Sequence, residues 1–190
     1  MSVLNALARV IPLAFASGLN IYATVAVLGL CSRYGLVSLP DQFRAFDHPV
    51  IIVVALAMYL IEFVADKIPW FDSVWDAVHT VIRPLGGALV AVTALGDASP
   101  AAKTLAVLLG GSVAMTTHVT KAGTRAAANT SPEPFSNWLL SLGEDVLAVG
   151  LSYGALRHPR VALAIAVALL LVILACASLI VRAVRRRFTA

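Results

Sequence analysis

The chain has 190 residues, of which 60% are hydrophobic and only 13% charged, with a mean hydropathy of +0.90 and a formal charge of +4. A soluble domain carries about 25% charged residues, so that class is excluded, and long apolar runs argue for membrane helices over an alternating β-barrel. Arg182, Arg185, Arg186 and Arg187 supply much of the positive charge after the last apolar run, which reads as a cytoplasmic topology signal and not as a nucleic-acid surface.

At about 20 residues per span, this length holds about six helices and no sizeable soluble domain. The chain therefore reads as one all-α, polytopic membrane domain over 1–190, with halves 1–97 and 98–190. Span one covers 7–36, with an interruption at Ser17-Gly18-Leu19-Asn20. Ala14-Phe15-Ala16 imitates a signal-peptidase site, but the apolar pattern continues past it and favours a span. A loop with Pro40, Asp41, Arg44 and Asp47 follows.

Span two opens at Pro49, a favoured first helical residue, and stops before Pro69. Span three covers 71–95, with kinks expected at Pro84 and Gly86-Gly87. Span four opens at Pro100, contains Gly110-Gly111 and fades into the polar run Asn129 to Pro134. Spans five and six cover 135–156 and 159–181. The last is the most uniformly apolar, and so suits lipid or a homodimer face. An even number of crossings places both termini inside.

An internal repeat is faintly visible. Sliding Gly18 onto Gly110 also brings Thr24 onto Thr116, Val27 onto Val119, Arg33 onto Arg125 and Pro40 onto Pro132. Three spans per half would make the halves inverted, with broken first helices, an arrangement that points to a transporter-type site.

Polar residues stand out against this background, because a charge at mid-bilayer costs about 2.5–3.5 kcal/mol and needs a partner or a cavity. Asp72, Asp76, His79 and Arg83 recur at i, i+4, i+7 and i+11, on one helix face. Asp72, Asp76 and His79 suit a divalent cation; His79 equally suits a proton relay, and an amphipathic turn anchored by Trp70 and Trp75 is the bland alternative. Glu62 and Asp66 are also i, i+4, with Lys67 or Arg83 as counter-ions.

Gly111, Ala114, His118, Lys121 and Arg125 form a stripe on span four; Arg125 reads as a snorkelling residue. Asn137, Ser141 and Glu144 share a face of span five. Glu144 and Asp145 lie roughly 15 Å from its start, the deepest acids of the chain. Asn20 marks broken backbone, tolerated at membrane depth only inside protein or beside water. Cys31 and Cys176 read as packing residues.

With these residues on the page, the chain resembles the family of small bacterial integral-membrane proteins called domain of unknown function 4126. The resemblance rests on Ala16-Ser17-Gly18-Leu19-Asn20, on Glu62-Phe63-Val64-Ala65-Asp66-Lys67-Ile68-Pro69 and on Asp72-Ser73-Val74-Trp75-Asp76. It continues through His79, Arg83-Pro84, Ser131-Pro132-Glu133-Pro134, Ser136-Asn137 and Glu144-Asp145. It implies an inner-membrane protein and transfers no activity.

The residues themselves lead to a small transporter or channel for an ion or small polar solute. Asn20, Glu62, Asp66, Asp72, Asp76, His79, Asn137, Glu144 and Asp145 would line its site. Lys67, Arg83, His118 and Lys121 would serve as counter-ions or relays. The competing readings are a metal-dependent hydrolase of a lipid-linked substrate and a non-catalytic assembly protein.

Overall fold

Residues 3–37, 39, 41–130 and 135–188 are described by the computed structural model. Pro40, Pro132 and the rest of 131–134, on which parts of the repeat and of the resemblance rest, lie outside the described residues. The helices run in chain order as α1 (Val3–Leu19), α2 (Ile21–Arg33), a 3-10 turn (Asp41–Phe46), α3 (Pro49–Ala65), α4 (Pro69–Leu95), α5 (Pro100–Asn129), α6 (Phe135–Arg157) and α7 (Pro159–Phe188).

Proline opens α3, α4, α5 and α7, where its missing N–H would have had no helical partner. Pro12 and Pro84 sit inside α1 and α4, which run on through them, as α4 does through Gly86-Gly87. Asn20 alone separates α1 from α2. It is extended, with φ −152° and ψ 100°, and its side-chain oxygen accepts the Ala23 N–H to cap α2.

Polarity is inverted relative to a soluble protein. Val53, Leu60, Val81, Leu85, Leu105, Leu139, Leu171 and Leu174 face outward, while Glu62, Asp66, Asp72, His79, Arg83, Lys121 and Arg125 are buried. Such a surface fits lipid, and so extensive an apolar exterior would be a liability in water. Three helices among the described residues, Pro69–Leu95, Phe135–Arg157 and Pro159–Arg186, are long and apolar enough to cross a membrane. Those of α1, α2 and α3 are shorter.

α1 is the hub and packs against α4, α5, α6 and α7. α4 and α5 form a tight antiparallel hairpin because small residues meet at their crossing. A Cβ on Gly87 would strike Ala114, and one on Gly110 would strike Ala91. Gly18 of α1 fits against the Ala114 backbone and Thr117, so three helices close on one small-residue knot. This brings Arg83 beside His118 and Asp72 beside Arg125.

Two sequence expectations are corrected. First, 7–36 is not one interrupted rod. The start of α1 (Ala6, Leu7, Val10) lies with Leu95, Ala98, Ala102 and Leu105, at the α4–α5 connection. The end of α2 returns to that same end of the bundle, where Gly29 meets Phe46 and Ile52, and Gln42 of the following turn meets Gly96. The pair is a V. Second, Gly110-Gly111 do not break α5, which is continuous, so the two halves are built differently and do not share a broken first helix.

Overfilling the knot tests this packing. Gly110→Leu should lose about 1–3 kcal/mol of stability in detergent thermal unfolding. Gly123→Ala, which has open space around it, should be neutral or stabilising by up to about 1 kcal/mol.

Candidate functional site

Charged side chains from α3, α4, α5 and α6 meet inside the bundle in a chain of alternating sign. Asp76 Oδ1 lies 3.3 Å from Arg83, whose Nη2 donates to Glu62 Oε1 at 2.7 Å. The same Glu62 oxygen lies 3.1 Å from Lys121 Nζ, which is also 3.4 Å from Asp66 Oδ2. Arg125 Nη2 then bridges Asp66 Oδ2 at 3.1 Å and Asp72 Oδ1 at 3.2 Å. Glu144 joins at Lys121, 3.6 Å away.

Local sequence explains the convergence. Glu62 and Asp66 are one turn apart at the end of α3, and Asp72, Asp76, His79 and Arg83 form the buried face of α4. His118, Lys121 and Arg125 continue the α5 face that carries Gly110 and Ala114. The α3–α4 turn adds a backbone contribution: the Asp66 carbonyl accepts from Arg125 Nη2 at 2.7 Å and from Asn137 Nδ2 at 3.2 Å. Asn137 also accepts from Arg125 through its own carbonyl at 2.8 Å, and Ser141 donates to Asp66 Oδ2 at 3.2 Å.

Asp145 stands apart from the cations. Asn20 Nδ2 donates to its Oδ1 at 3.0 Å, and the Tyr59 hydroxyl is 3.5 Å from Oδ2. Six carboxyls (Glu62, Asp66, Asp72, Asp76, Glu144, Asp145) thus face three interior cations (Arg83, Lys121, Arg125). Three negative charges go unmatched when every group is ionised. Glu62 Oε2, Asp66 Oδ1 and Asn137 Oδ1 are moreover buried acceptors with no hydrogen-bond donor.

Both interior histidines are held by their neighbours. The Trp75 carbonyl, 2.7 Å from His79 Nδ1, can only accept, so Nδ1 carries a proton, and Nε2 lies 3.0 Å from the Tyr22 hydroxyl. His79 is further stacked on Trp75, with ring centroids 4.5 Å apart. Arg83 Nη1 donates to His118 Nδ1 at 2.7 Å; His118 Nε2 then donates to Thr80 Oγ1 at 3.1 Å, which itself donates to the Asp76 carbonyl.

Asp72, Asp76 and His79 are therefore not gathered as a metal shell, because both nitrogens of His79 are engaged elsewhere. Among the described residues no group of three or more His, Cys, Asp and Glu side chains could hold a metal ion. Lys67 is also outside the network. Its ammonium donates to the Phe63 carbonyl at 2.8 Å and lies over the Phe63 ring.

Arg125, expected to snorkel, is instead fully buried and holds the α3–α4 turn. Its place on the small-residue stripe that packs against α4 was the available signal. Tyr22, Tyr59 and Thr80 went unread, because lone hydroxyls in apolar helices carry no pattern. Gly150-Leu151-Ser152-Tyr153-Gly154 has the Gly-x-Ser-x-Gly spacing of a hydrolase elbow. It lies within continuous α6, and Ser152 Oγ is 2.7 Å from the Ala148 carbonyl, so no strand-to-helix elbow exists there.

A cleft of about 220 Å³ leads to this network between the start of α4 and the end of α5. It is lined by Asp72, Asp76, Thr80, Arg125 and Asn129, among others. Asn129 Nδ2 donates to Asp72 Oδ2 at 2.8 Å at its rim.

Removing one member of a buried ion pair strands the other, at a cost of about 3–5 kcal/mol. Arg125→Gln should therefore lower detergent thermal stability by that order, while Lys67→Gln should stay within about 0.5 kcal/mol of wild type.

Comparison with known proteins adds a family and no activity. No curated protein and no solved structure matches the chain. The family model for the Domain of unknown function (DUF4126) matches residues 7–178, nearly the whole chain and all of the charge network, and the protein belongs to that family.

Proposed function

We propose that the protein is a small membrane transporter or channel for a proton or another small cation. The observation that carries this reading is the excess of carboxyls over cations in an interior surrounded by apolar surface. At about 2.5–3.5 kcal/mol each, three unmatched carboxylates would cost roughly 8–10 kcal/mol, comparable with the whole stability of a domain. A bundle that used its charges only as glue would do better with balanced pairs. The excess is filled by something positive, and protons or a cation from the Asp72–Asp76 cleft can fill it.

Glu144 and Asp145 are the groups we assign to the travelling charge. Among the described residues Glu144 has one cation within ion-pair distance, 3.6 Å away and already shared with Glu62 and Asp66, and Asp145 has none. Lys121 acts as the fixed counter-charge between them. Asp76–Arg83 and Asp72–Arg125 brace the frame, and His79 and His118 hold Trp75, Arg83 and Thr80 in place.

The same proposal places the chain in the cytoplasmic membrane, with its C-terminal arginines in the cytoplasm. A homodimer would pair the long stretch of α7 that no other helix covers.

The scaffold reading draws support from the alternating pairing itself. Reconstitution into liposomes with a pH-sensitive dye and an imposed potential separates the two. Wild type should carry protons or a monovalent cation, and Glu144→Gln should reduce the flux by tenfold or more while eluting as folded protein. Undiminished flux in Glu144→Gln removes the assignment, and absent wild-type flux under every gradient favours the scaffold.

A further inference from the structure

We propose that α1 and α2 form a re-entrant helical hairpin. It enters the membrane from the side of the α4–α5 connection, and its tip at Gly18-Leu19-Asn20 closes the ion path over Lys121 and Asp145. The chain would then cross five times, through α3 to α7, and the start of α1 and the end of α7 would lie on opposite sides. The gate rests on the transport reading; the hairpin does not.

Contacts at three levels carry the inference. Beside the α4–α5 connection lie both outer ends: Ala6, Leu7 and Val10 of α1 near Leu95 and Leu105, and Gly29 of α2 near Ile52. One turn from the tip, Thr24 of α2 is 3.3 Å from Ser152 of α6. At the tip, Gly18 meets Ala114 and Thr117, Ile21 meets Gly86, and Asn20 meets Asp145, all far inside long helices. At 1.5 Å per residue α2 is about 20 Å long, well short of a hydrocarbon core of about 30 Å, whereas α1 matches α3 in length, so the contacts at these three levels and not length set α1 apart.

The tip also meets the physical requirement for broken backbone at membrane depth. Residues Ser17, Leu19 and Asn20 are buried in protein, and no charged residue occurs between Val10 and Ser32. The two helix ends at the break face charges of the complementary sign. The C-terminal end of α1 offers its Leu19 carbonyl to Lys121 Nζ at 3.1 Å. The N-terminal end of α2 faces Asp145, to which Asn20 Nδ2 donates while its Oδ1 caps the helix. Lys121 and Asp145 are thereby tied to the tip as well as to the frame. The α4–α5 cleft opens the network towards the opposite side, so the hairpin is the element that stands between the site and the side it enters from.

Single cysteines at Leu4, Ala101, Ala127 and Ala183, in a Cys31→Ala, Cys176→Ala background, test the hairpin with a membrane-impermeant maleimide in sealed, oriented vesicles. Leu4 and Ala101 should label from one side, and Ala127 and Ala183 from the other. Leu4 labelling with Ala127 and Ala183 would mean that α1 and α2 cross as one span, and would overturn the proposal. For the tip, Asn20→Ser keeps a capping oxygen on α2 but cannot reach Asp145. It should lower proton or monovalent-cation flux at least tenfold with labelling unchanged; wild-type flux in that variant overturns the gate. If wild-type protein carries no flux, the transport reading fails, and the labelling pattern still decides the hairpin.

Discussion

Lys121 is the interaction on which the rest of the structure depends. One buried ammonium reaches Glu62, Asp66 and Glu144 and the Leu19 carbonyl, joining α3, α6 and α1 to α5. In an interior of low dielectric it cannot lose these partners cheaply, and they cannot lose it. Arg83 and Arg125 repeat the arrangement on either side. The result is a polar spine in a protein whose exterior is apolar. Helix association here depends less on apolar burial than on close backbone approach and on satisfied charge.

Close approach and charge are linked through the same helix faces. On α4, Gly87 and Ala91 lie one and two turns beyond Arg83; on α5, Gly110 and Ala114 precede His118 and Lys121. Small residues set the axis separation at the crossing, and that separation puts the Arg83 guanidinium 2.7 Å from His118 further along. A larger residue in the knot would thus damage the polar spine as well as the packing. The hub position of α1 adds a third helix to the same geometry through Gly18.

Buried networks are often balanced, and this one is not. The alternating run from Asp76 to Asp72 accounts for four acids and three bases, and Glu144 and Asp145 add two more acids. The two acids least supported by cations belong to α6, and both approach the α1–α2 tip region through Lys121 or Asn20. The least compensated charges therefore approach the single-residue break at Asn20 between α1 and α2.

Composition and periodicity determined a good deal. An all-α chain with long apolar helices follows from 60% hydrophobic residues in long runs, and prolines at 49, 100 and 159 marked three helix starts. The spacing of Asp72, Asp76, His79 and Arg83 placed them on one buried face, and the spacing of Asn137, Ser141 and Glu144 did the same for a polar seam. Sequence also located the break at Asn20. It could not say how the chain turns there, because one extended residue permits either a rod or a V, and only packing against Ile52, Ser152 and Leu95 selects the V. Nor could it pair the charges. Adjacent Lys67 turned out to face Phe63, while Lys121, 55 residues from Asp66, took its place. Arg125 read as a surface residue until the α3–α4 turn was seen to need its donors. Helical period decides which residues share a face; tertiary structure decides which faces meet, and a buried charge takes its role from the face it meets.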